Sequence, residues 1–219
     1  MLVCLLLWAT SNSAVAGCFD KRGAGMDWSG CKKTSKMLSE SNFSGSRFDD
    51  ANLALSSLDD SNFKGASLVK TDLTRATARR SHFENADLTK SVGYRAEFDG
   101  AIVKKSNLTK SEYFRASFRD ASITDTDWSR SELGRVDFST AQLNAVSFQY
   151  SNLSRVIFTG SKLENVNLEG AYTYLTHWEN VDLRAVRNLT QLQLNLSCGD
   201  LQTRLPEGLW IPDTWPCEE

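Results

Sequence analysis

The sequence predicts an all-β solenoid, a column of stacked coils, and two periodicities predict it. The first is a five-residue unit in which a small, a polar and a large apolar residue precede two polar residues, as in Ala116–Asp120. The second is a twenty-residue period, shown by the aromatic residues Phe98, Phe118, Phe138, Phe158 and Trp178. Side chains of one kind recur at fixed spacing where successive coils stack on one another. Four units therefore make one coil.

The five-residue unit keeps one register from Trp28 to Leu183, a length of about eight coils. Its large apolar residue, here called the centre, is replaced at only four places: Lys33, Ala78, Gly93 and Thr173. A period of five fits neither the 3.6 residues of a helical turn nor the two-residue period of a strand. With two inward positions in every five, the chain is expected to turn a corner once per unit.

Units such as Ala51-Asn52-Leu53, Ala86-Asp87-Leu88 and Ser151-Asn152-Leu153 resemble the A(D/N)LXX consensus of the pentapeptide repeat family. The resemblance covers about three quarters of the chain. It implies a right-handed quadrilateral β-helix with four pentapeptides per coil. The handedness follows from the family and not from the spacing.

Both ends of the repeat resemble an exported bacterial branch of that family. Met26–Cys31 is similar to the VDWSGC motif with which the branch opens. Cys198–Asp200, followed by Leu205–Leu209, is similar to its closing CGD…LPEGL motif. This branch has no defined activity, so the resemblance does not imply one for this chain.

The organisation expected is a signal peptide at 1–16, an N-terminal cap with the first coil or coils at 17–40, the β-helix at 41–185 and a C-terminal cap at 186–219. Caps are needed because a solenoid exposes its core at both ends. Asn188–Leu194 is predicted to form a short α-helix whose leucines lie across the last coil. Trp210 and Trp215 are expected to extend this lid.

An export signal is expected at the N-terminus. Leu2–Ala9 is almost wholly apolar, and small residues precede a predicted cleavage after Ala16. The apolar run is too short to span a bilayer. The alternative is a buried N-terminal strand or helix. The expected location is therefore periplasmic or secreted.

Four cysteines remain after that cleavage, in one local pair at each end: Cys18, Cys31, Cys198 and Cys217. An even number in an exported chain favours two disulfides, and free buried thiols are the alternative. The stretch Val15–Cys18 also resembles a bacterial lipobox, which would place a lipid anchor on Cys18. Lipidation would leave one cysteine without a partner.

The sequence contains no recognisable catalytic constellation and implies no cofactor. His82 and His177, the two histidines, each precede a centre and are expected to point outward on different faces. They therefore cannot share a metal or a catalytic triad. Asp and Asn before a centre are explained by local hydrogen bonds to the turn backbone. The net charge of −2 does not suggest nucleic-acid binding.

One predicted surface is unusual, and we call it the basic face. Its Arg row occupies one corner of successive coils: Arg75, Arg95, Arg115, Arg135 and Arg155. Its Lys row occupies the preceding corner: Lys70, Lys90, Lys110 and Arg130. Tyr94 and Phe114 are expected to project between the rows. Two interpretations are open: a docking site for an anionic partner, or a face neutralised in part by Asp72, Glu112 and Glu132.

These observations favour a non-catalytic exported scaffold or protein-interaction module, a monomer or weak dimer with no transmembrane segment. Its expected partner is an unknown protein or an anionic component of the cell envelope, and not nucleic acid. The family resemblance also implies an alternative, since some pentapeptide repeat proteins mimic DNA and regulate a topoisomerase such as DNA gyrase. A mimic needs a strongly acidic surface and a cytoplasmic location, which this sequence does not suggest.

Overall fold

The computed structural model describes residues 17–217, so the predicted signal peptide lies outside the described residues. The predicted all-β solenoid is confirmed. Five short strands, one per coil, pair in parallel in the order of the chain. They are β1 (His82–Glu84), β2 (Ile102–Lys104), β3 (Ser122–Thr124), β4 (Gln142–Asn144) and β5 (Lys162–Glu164). One helix, α1 (Gln191–Asn195), follows them, which confirms the predicted α-helical element near the C-terminus.

The twenty-residue register extends well beyond these strands. Single parallel bridges join residues twenty apart, from Asp27 and Arg47 at one end to Asn167 and Arg187 at the other. The coil count depends on which elements are counted. The five-stranded sheet covers only four steps from coil to coil, fewer than the predicted coils. The other walls are held by single bridges, because only a few residues of each unit are extended before the next turn.

From Gly25 to Asn180, the last residue of every unit adopts a left-handed conformation at the turn to the next wall. Its φ is 56° at Asp120, 60° at Thr140 and 68° at Gly100. A residue other than glycine loses on the order of 1–2 kcal/mol in this conformation. Hydrogen bonds between coils offset that cost. Phe98 N–H, for example, donates to the Ser117 carbonyl at 2.7 Å, and Ser117 N–H donates to the Ala96 carbonyl at 2.9 Å.

The centres and the residues two positions before them form one continuous core along the column. Aromatic centres stack on their counterparts in the next coil. Ring centroids are 4.7 Å apart for Phe98 and Phe118, and 4.8 Å apart for Phe158 and Trp178. Burying each such side chain contributes roughly 1.5–3 kcal/mol. The column is therefore stabilised mainly by contacts between neighbouring coils.

Two of the atypical centres are explained by residues of a neighbouring coil. One leaves space for a large side chain, and the other forms a hydrogen bond. Gly93 lies against the Tyr113 ring, and a Cβ atom at Gly93 would be 2.3 Å from that ring. The buried Tyr113 hydroxyl in turn hydrogen-bonds to the Ser91 hydroxyl at 2.9 Å. Thr173 donates its hydroxyl hydrogen to the Gln193 carbonyl at 2.8 Å. These exceptions follow from the neighbouring coil.

Lys33, the first atypical centre, covers the N-terminal end of the core. Its ammonium group lies 3.9 Å from the centroid of the Trp28 ring and donates a hydrogen bond of 2.5 Å to the Cys18 carbonyl. Burial lowers the pKa of Lys33, and the charge of Lys36 adds to that shift. A cation over an indole ring contributes about 0.5–2 kcal/mol, depending on how far it is desolvated.

Helix α1 begins later than the sequence suggested, because Asn188 has a left-handed φ of 58° and Thr190 caps the helix. The Thr190 side chain accepts from the Gln193 backbone N–H, and the Gln193 side chain accepts from the Thr190 N–H at 2.9 Å. The leucine lid forms only in part. Leu194 is fully buried, whereas Leu192 is 69% exposed.

Polar contacts complete the C-terminal end. The Gln193 amide donates to the carbonyls of Leu168 and Ala171, at 2.8 and 2.9 Å, and so pairs two acceptors near the end of the column. Trp215 is buried, and its indole N–H donates to the Ser197 carbonyl. The prediction for Trp210 is wrong, since this side chain is 64% exposed. Its backbone N–H and carbonyl bond to the Gln191 side chain, so the Trp210 backbone, rather than its ring, is held on the helix.

The four cysteines lie in two pairs at disulfide distance, one near each end. The Cα atoms of Cys18 and Cys31 are 5.5 Å apart, and those of Cys198 and Cys217 are 5.4 Å apart. Cys18 thus lies where it can form a disulfide with Cys31. A link that closes a loop of this length contributes roughly 3 kcal/mol in the chain-entropy model.

The contact between Gly93 and Tyr113 gives a testable prediction. The substitution Gly93→Ala should lower the free energy of unfolding by about 1–3 kcal/mol, because the new methyl group overlaps a fully buried ring. The measurement is chemical denaturation followed by circular dichroism. Gly134→Ala is the matched control. Its Cβ would meet the exposed Phe114 ring at 3.0 Å and the Ser154 hydroxyl oxygen at 3.4 Å, contacts that a shift of a few tenths of an ångström relieves.

A double variant makes the test specific. In a Tyr113→Leu background, the Gly93→Ala substitution should cost much less, because the overlapping ring atoms are gone. If the two substitutions were additive instead, the fit between Gly93 and Tyr113 would not be the reason for the atypical centre.

Candidate interaction site

The Arg row occupies the left-handed corner position of five successive coils. The φ angles run from 54° at Arg95 to 63° at Arg135, and all five side chains are exposed. Backbone hydrogen bonds fix these corners: Arg95 N–H donates to the Phe114 carbonyl and Arg115 N–H to the Gly134 carbonyl, at 3.1 and 3.0 Å. Successive corners are stacked at about the 4.8 Å spacing of paired strands.

The Lys row has the same geometry on the preceding corner. Lys70, Lys90, Lys110 and Arg130 are exposed and have φ angles of 56–60°. Lys70 lies 3.6 Å from the Asp50 carboxylate. A shallow depression of about 270 Å³ follows this row from Thr109 to Tyr150. The two rows therefore border one wall of the column.

Tyr94 and Phe114 lie beside the Arg row and pack on each other. Their rings are parallel, with centroids 6.0 Å apart, and they are 36% and 40% exposed. The guanidinium carbon of Arg95 is 5.3 Å from the Tyr94 centroid, and that of Arg115 is 5.5 Å from the Phe114 centroid. Each ring thus supports the arginine that follows it in the chain.

A related contact occurs at Tyr174, which the sequence did not single out, but here the ring belongs to the coil after its arginine. The Arg155 guanidinium carbon lies 5.6 Å from the Tyr174 centroid, in the next coil, and Tyr172 stacks on Tyr174. The twenty-residue register could have predicted this contact. Tyr174 occupies the same position of its coil as Tyr94 and Phe114, with Gly134 and Ser154 at that position in the two coils between. Gly134 leaves space for the Phe114 ring, which packs over it.

In the part of the chain that the structure describes, most arginines on the other walls form ion pairs, which the arginines of the Arg row do not. Arg79 contacts Asp59 at 2.9 Å, Arg80 contacts Asp60 at 2.7 Å, and Arg119 contacts Asp99 at 2.8 Å. The hydrogen bonds from Arg80 lower the pKa of the Asp60 carboxyl group. Within residues 17–217, no ion pair of this kind involves a member of the Arg row or Lys90, Lys110 or Arg130.

The acidic residues expected to neutralise the face form other contacts. Glu132 accepts a hydrogen bond from the Asn152 amide at 2.9 Å. Asp72 accepts from the Thr74 backbone N–H at 2.9 Å. Neither these carboxylates nor Glu112 forms an ion pair with the basic rows in the described part of the chain. These carboxylates therefore compensate the positive charges of the two basic rows only through longer-range attraction.

The two histidines differ more than the sequence suggested. His82 is exposed in β1. His177 is only partly exposed, and its Nδ1 atom lies 2.9 Å from a Glu179 carboxylate oxygen. Thr159 donates a hydrogen bond to the same carboxylate at 3.1 Å. His177 is therefore not a free surface imidazole. Glu179, two residues further along the chain, provides a partner.

Among residues 17–217, no group of three or more His, Cys, Asp or Glu side chains is arranged to hold a metal ion. Within the same range, no helix is long and apolar enough to cross a membrane. The prominent chemical feature of the surface is thus the set of exposed guanidinium and ammonium groups.

Fold and surface together define a four-sided parallel β-solenoid with two basic corners. Comparison with protein families agrees with this description. The model for pentapeptide repeats matches eight copies at residues 38–75, 71–109 and 137–172, about half of the chain. The chain belongs to the pentapeptide repeat family.

Solved structures of the same fold are similar to this chain at low sequence identity. A trypsin-treated variant of QnrB1, a plasmid-mediated fluoroquinolone resistance protein, has a TM-score of 0.58 and 16% identity, with 85% of this chain and 91% of that chain covered. A second trypsin-treated variant gives a TM-score of 0.52 and 17% identity, with 81% and 88% covered. These likenesses show the fold alone.

HetL, a pentapeptide repeat protein involved in heterocyst differentiation regulation from the cyanobacterium Nostoc sp. strain PCC 7120, has a TM-score of 0.44. It is 17% identical, with 87% of this chain and 91% of that chain covered. The comparison with curated proteins gives no match.

The contact between His177 and Glu179 predicts a pH dependence of stability. The hydrogen bond to Glu179 raises the pKa of His177, against the opposing effect of burial. Burial tends to raise the pKa of Glu179, but hydrogen bonds from His177, the backbone and Thr159 outweigh it and lower that pKa. The His177 contribution is present below its unfolded pKa of about 6.5 and disappears as pH rises through its higher folded pKa. The Glu179 contribution is lost as pH falls through its lowered folded pKa.

We therefore expect His177→Gln to reduce stability most at about pH 5–6, by less than ~1 kcal/mol because the pair is partly exposed. The difference from the parent protein should shrink above neutral pH. Thermal melts across this pH range provide the measurement. Glu179→Gln should reproduce the effect at pH 5–6, since it removes the same contact. A constant difference across the range would contradict the role assigned to the pair.

Proposed function

We propose that this protein is an exported, non-catalytic scaffold that binds an anionic partner on the basic face. The observation that carries the proposal is the row of five exposed arginines, none of them paired with a carboxylate in residues 17–217. Arginine pairs with carboxylates where they are placed within reach, as on the neighbouring walls. A row without such partners is free to accept them from a ligand.

Export is supported by the cysteines. Both cysteine pairs lie at disulfide distance, and disulfides persist in oxidising compartments such as the periplasm or the outside of the cell. The apolar stretch Leu2–Ala9 provides a sequence for export. The proposed location is therefore periplasmic or secreted.

Regulation of a topoisomerase by DNA mimicry is the alternative. It draws on the likeness to QnrB1, whose description is that of a fluoroquinolone resistance protein. A mimic of DNA must present closely spaced negative charges along its length. The two basic rows run along the column in this chain, and therefore oppose that role.

Cell fractionation separates these two functions. We expect the protein in the periplasm or medium, with a mass that corresponds to cleavage after Ala16, because the N-terminal stretch has the pattern of a signal peptide. The measurement is immunoblotting of fractions and intact mass spectrometry. Recovery of the uncleaved chain from the cytoplasm would overturn the proposed export and favour DNA mimicry.

A charge reversal tests the docking surface. The triple variant Arg95→Glu, Arg115→Glu and Arg135→Glu should lose retention on an envelope fraction, because it replaces the central guanidinium groups with repelling carboxylates. Its melting temperature should change by only a few degrees, since all three side chains are exposed. Co-sedimentation and calorimetry provide the two measurements.

The matched control carries the same change in charge on another wall. Lys104→Glu, Lys105→Glu and Lys162→Glu alter three exposed lysines that lie away from the basic face. This control should be retained like the parent protein. Envelope retention that survived the arginine triple variant, or that fell equally in the lysine control, would eliminate the basic face as the docking site.

A further inference from the structure

The corners that carry the Arg row form an evenly spaced line along the column. The five members of the row occupy the same position in successive coils, and parallel pairing fixes the vertical spacing at about 4.8 Å. The row therefore extends over four coil steps, roughly 19 Å. A rigid one-dimensional array of this kind is complementary to a linear ligand with an anionic group at each repeat.

We propose that the Arg row binds a linear polysaccharide that carries one carboxylate on every sugar, with the sugar chain parallel to the column axis. This inference rests on the proposed function of the basic face and names its ligand class. Successive sugars of an extended chain advance by about one ring length, on the order of the ~4.8 Å between coils. Because successive sugars rotate about the chain axis, only the carboxylates that face the column meet guanidinium groups of the row, and the others remain in solvent.

Arginine suits this ligand because its planar fork binds a carboxylate through two parallel hydrogen bonds. Here the forks are partly ordered before binding. The backbone at Arg95 and Arg115 is fixed by hydrogen bonds between coils, and their guanidinium groups lie beside Tyr94 and Phe114. Less side-chain entropy is lost when a ligand binds to groups that are already oriented.

The other side of the wall directs the ligand toward the Arg row. Asp72, Glu112 and Glu132 precede their centres and so lie nearer the Lys row, whereas Tyr94 and Phe114 follow their centres and lie nearer the Arg row. These carboxylates weaken the attraction of the Lys row for a polyanion more than that of the Arg row. The binding path is therefore a line along one corner and not the whole wall.

The geometry favours a polysaccharide over a lipid surface. Proteins that bind at a bilayer surface place apolar side chains among the headgroups and acyl chains. The rings beside the Arg row are instead packed on each other and on Gly134, with well over half of Tyr94 buried. A curved or mobile lipid surface would also make no use of the even spacing of the row.

The test uses purified oligogalacturonates of increasing length and isothermal titration calorimetry with the mature protein. Affinity should rise steeply from about two sugars to about five, the length that covers the row, and then level off because further sugars extend beyond the last guanidinium group. Raising the salt concentration should weaken binding. A neutral oligosaccharide of the same length should not bind.

Two triple variants separate geometry from charge. Replacing Arg95, Arg115 and Arg135 with lysine keeps the charge but removes the forks, and should weaken binding by about tenfold or more. The lysine control on the other wall, Lys104→Glu with Lys105→Glu and Lys162→Glu, should bind like the parent protein. Unchanged affinity in the arginine-to-lysine variant would overturn bidentate recognition.

The outcome also distinguishes the ligand class from the docking surface. If the oligogalacturonates fail to bind or show no dependence on length, while the arginine-to-glutamate variant still loses envelope retention, the polysaccharide inference fails and the proposed function stands. If that variant keeps its envelope retention, both fail. Equal or tighter binding to vesicles of anionic phospholipid would also overturn the inference.

Discussion

The left-handed residue at the end of each five-residue unit is the constraint on which the rest of this structure depends. It turns the chain from one wall of the column to the next, so after four units the backbone returns to the same wall one coil further along. Hydrogen bonds between residues about twenty apart then fix every coil on the one before it. Asp120, Thr140 and Gly160 illustrate that very different residues meet this demand at one corner, with φ between 56° and 67°. The cost per corner is compensated by the continuous core beneath.

The sequence predicted the inside of the column well because that information is periodic. The centres and the small residues before them repeat every five positions, and Phe98, Phe118 and Phe138 stack as the twenty-residue period suggested. The same register placed Arg95 and Arg115 on one exposed corner. An insertion of one residue would have disrupted both predictions, and the described chain contains none before the C-terminal cap, where the bridge from His177 to Cys198 spans 21 residues.

Features that break the period could not be predicted in this way. Helix α1 starts at Gln191 because of a cap at Thr190, and Trp210 turns outward because Gln191 binds its backbone. Lys33 covers the core by a contact with Trp28 that depends on the path of the preceding segment. Each of these results from a local contact at an end of the column, where no neighbouring coil imposes the register.

The ion pairs between coils, by contrast, follow from the register itself. Asp59 pairs with Arg79 and Asp60 with Arg80, in each case one coil away. An acidic residue at the same position of an adjacent coil is therefore one way in which an arginine is paired, and a residue two positions away, as in Arg184 and Asp182, is another. Arg95, Arg115 and Arg135 have arginine at those positions on both sides, so the register itself denies them this type of partner.

Folding alone gives no reason for this arrangement. Two like charges ~5 Å apart repel by on the order of 1 kcal/mol in water before screening by salt. The corner accepts other residues, since Leu55 and Leu175 occupy it in other coils with φ angles of 61° and 53°. Alternating charges, as between Asp60 and Arg80, would stabilise the column more. The stacked arginines thus reduce stability along one corner, and this corner is also where contact with an anionic ligand would remove the repulsion.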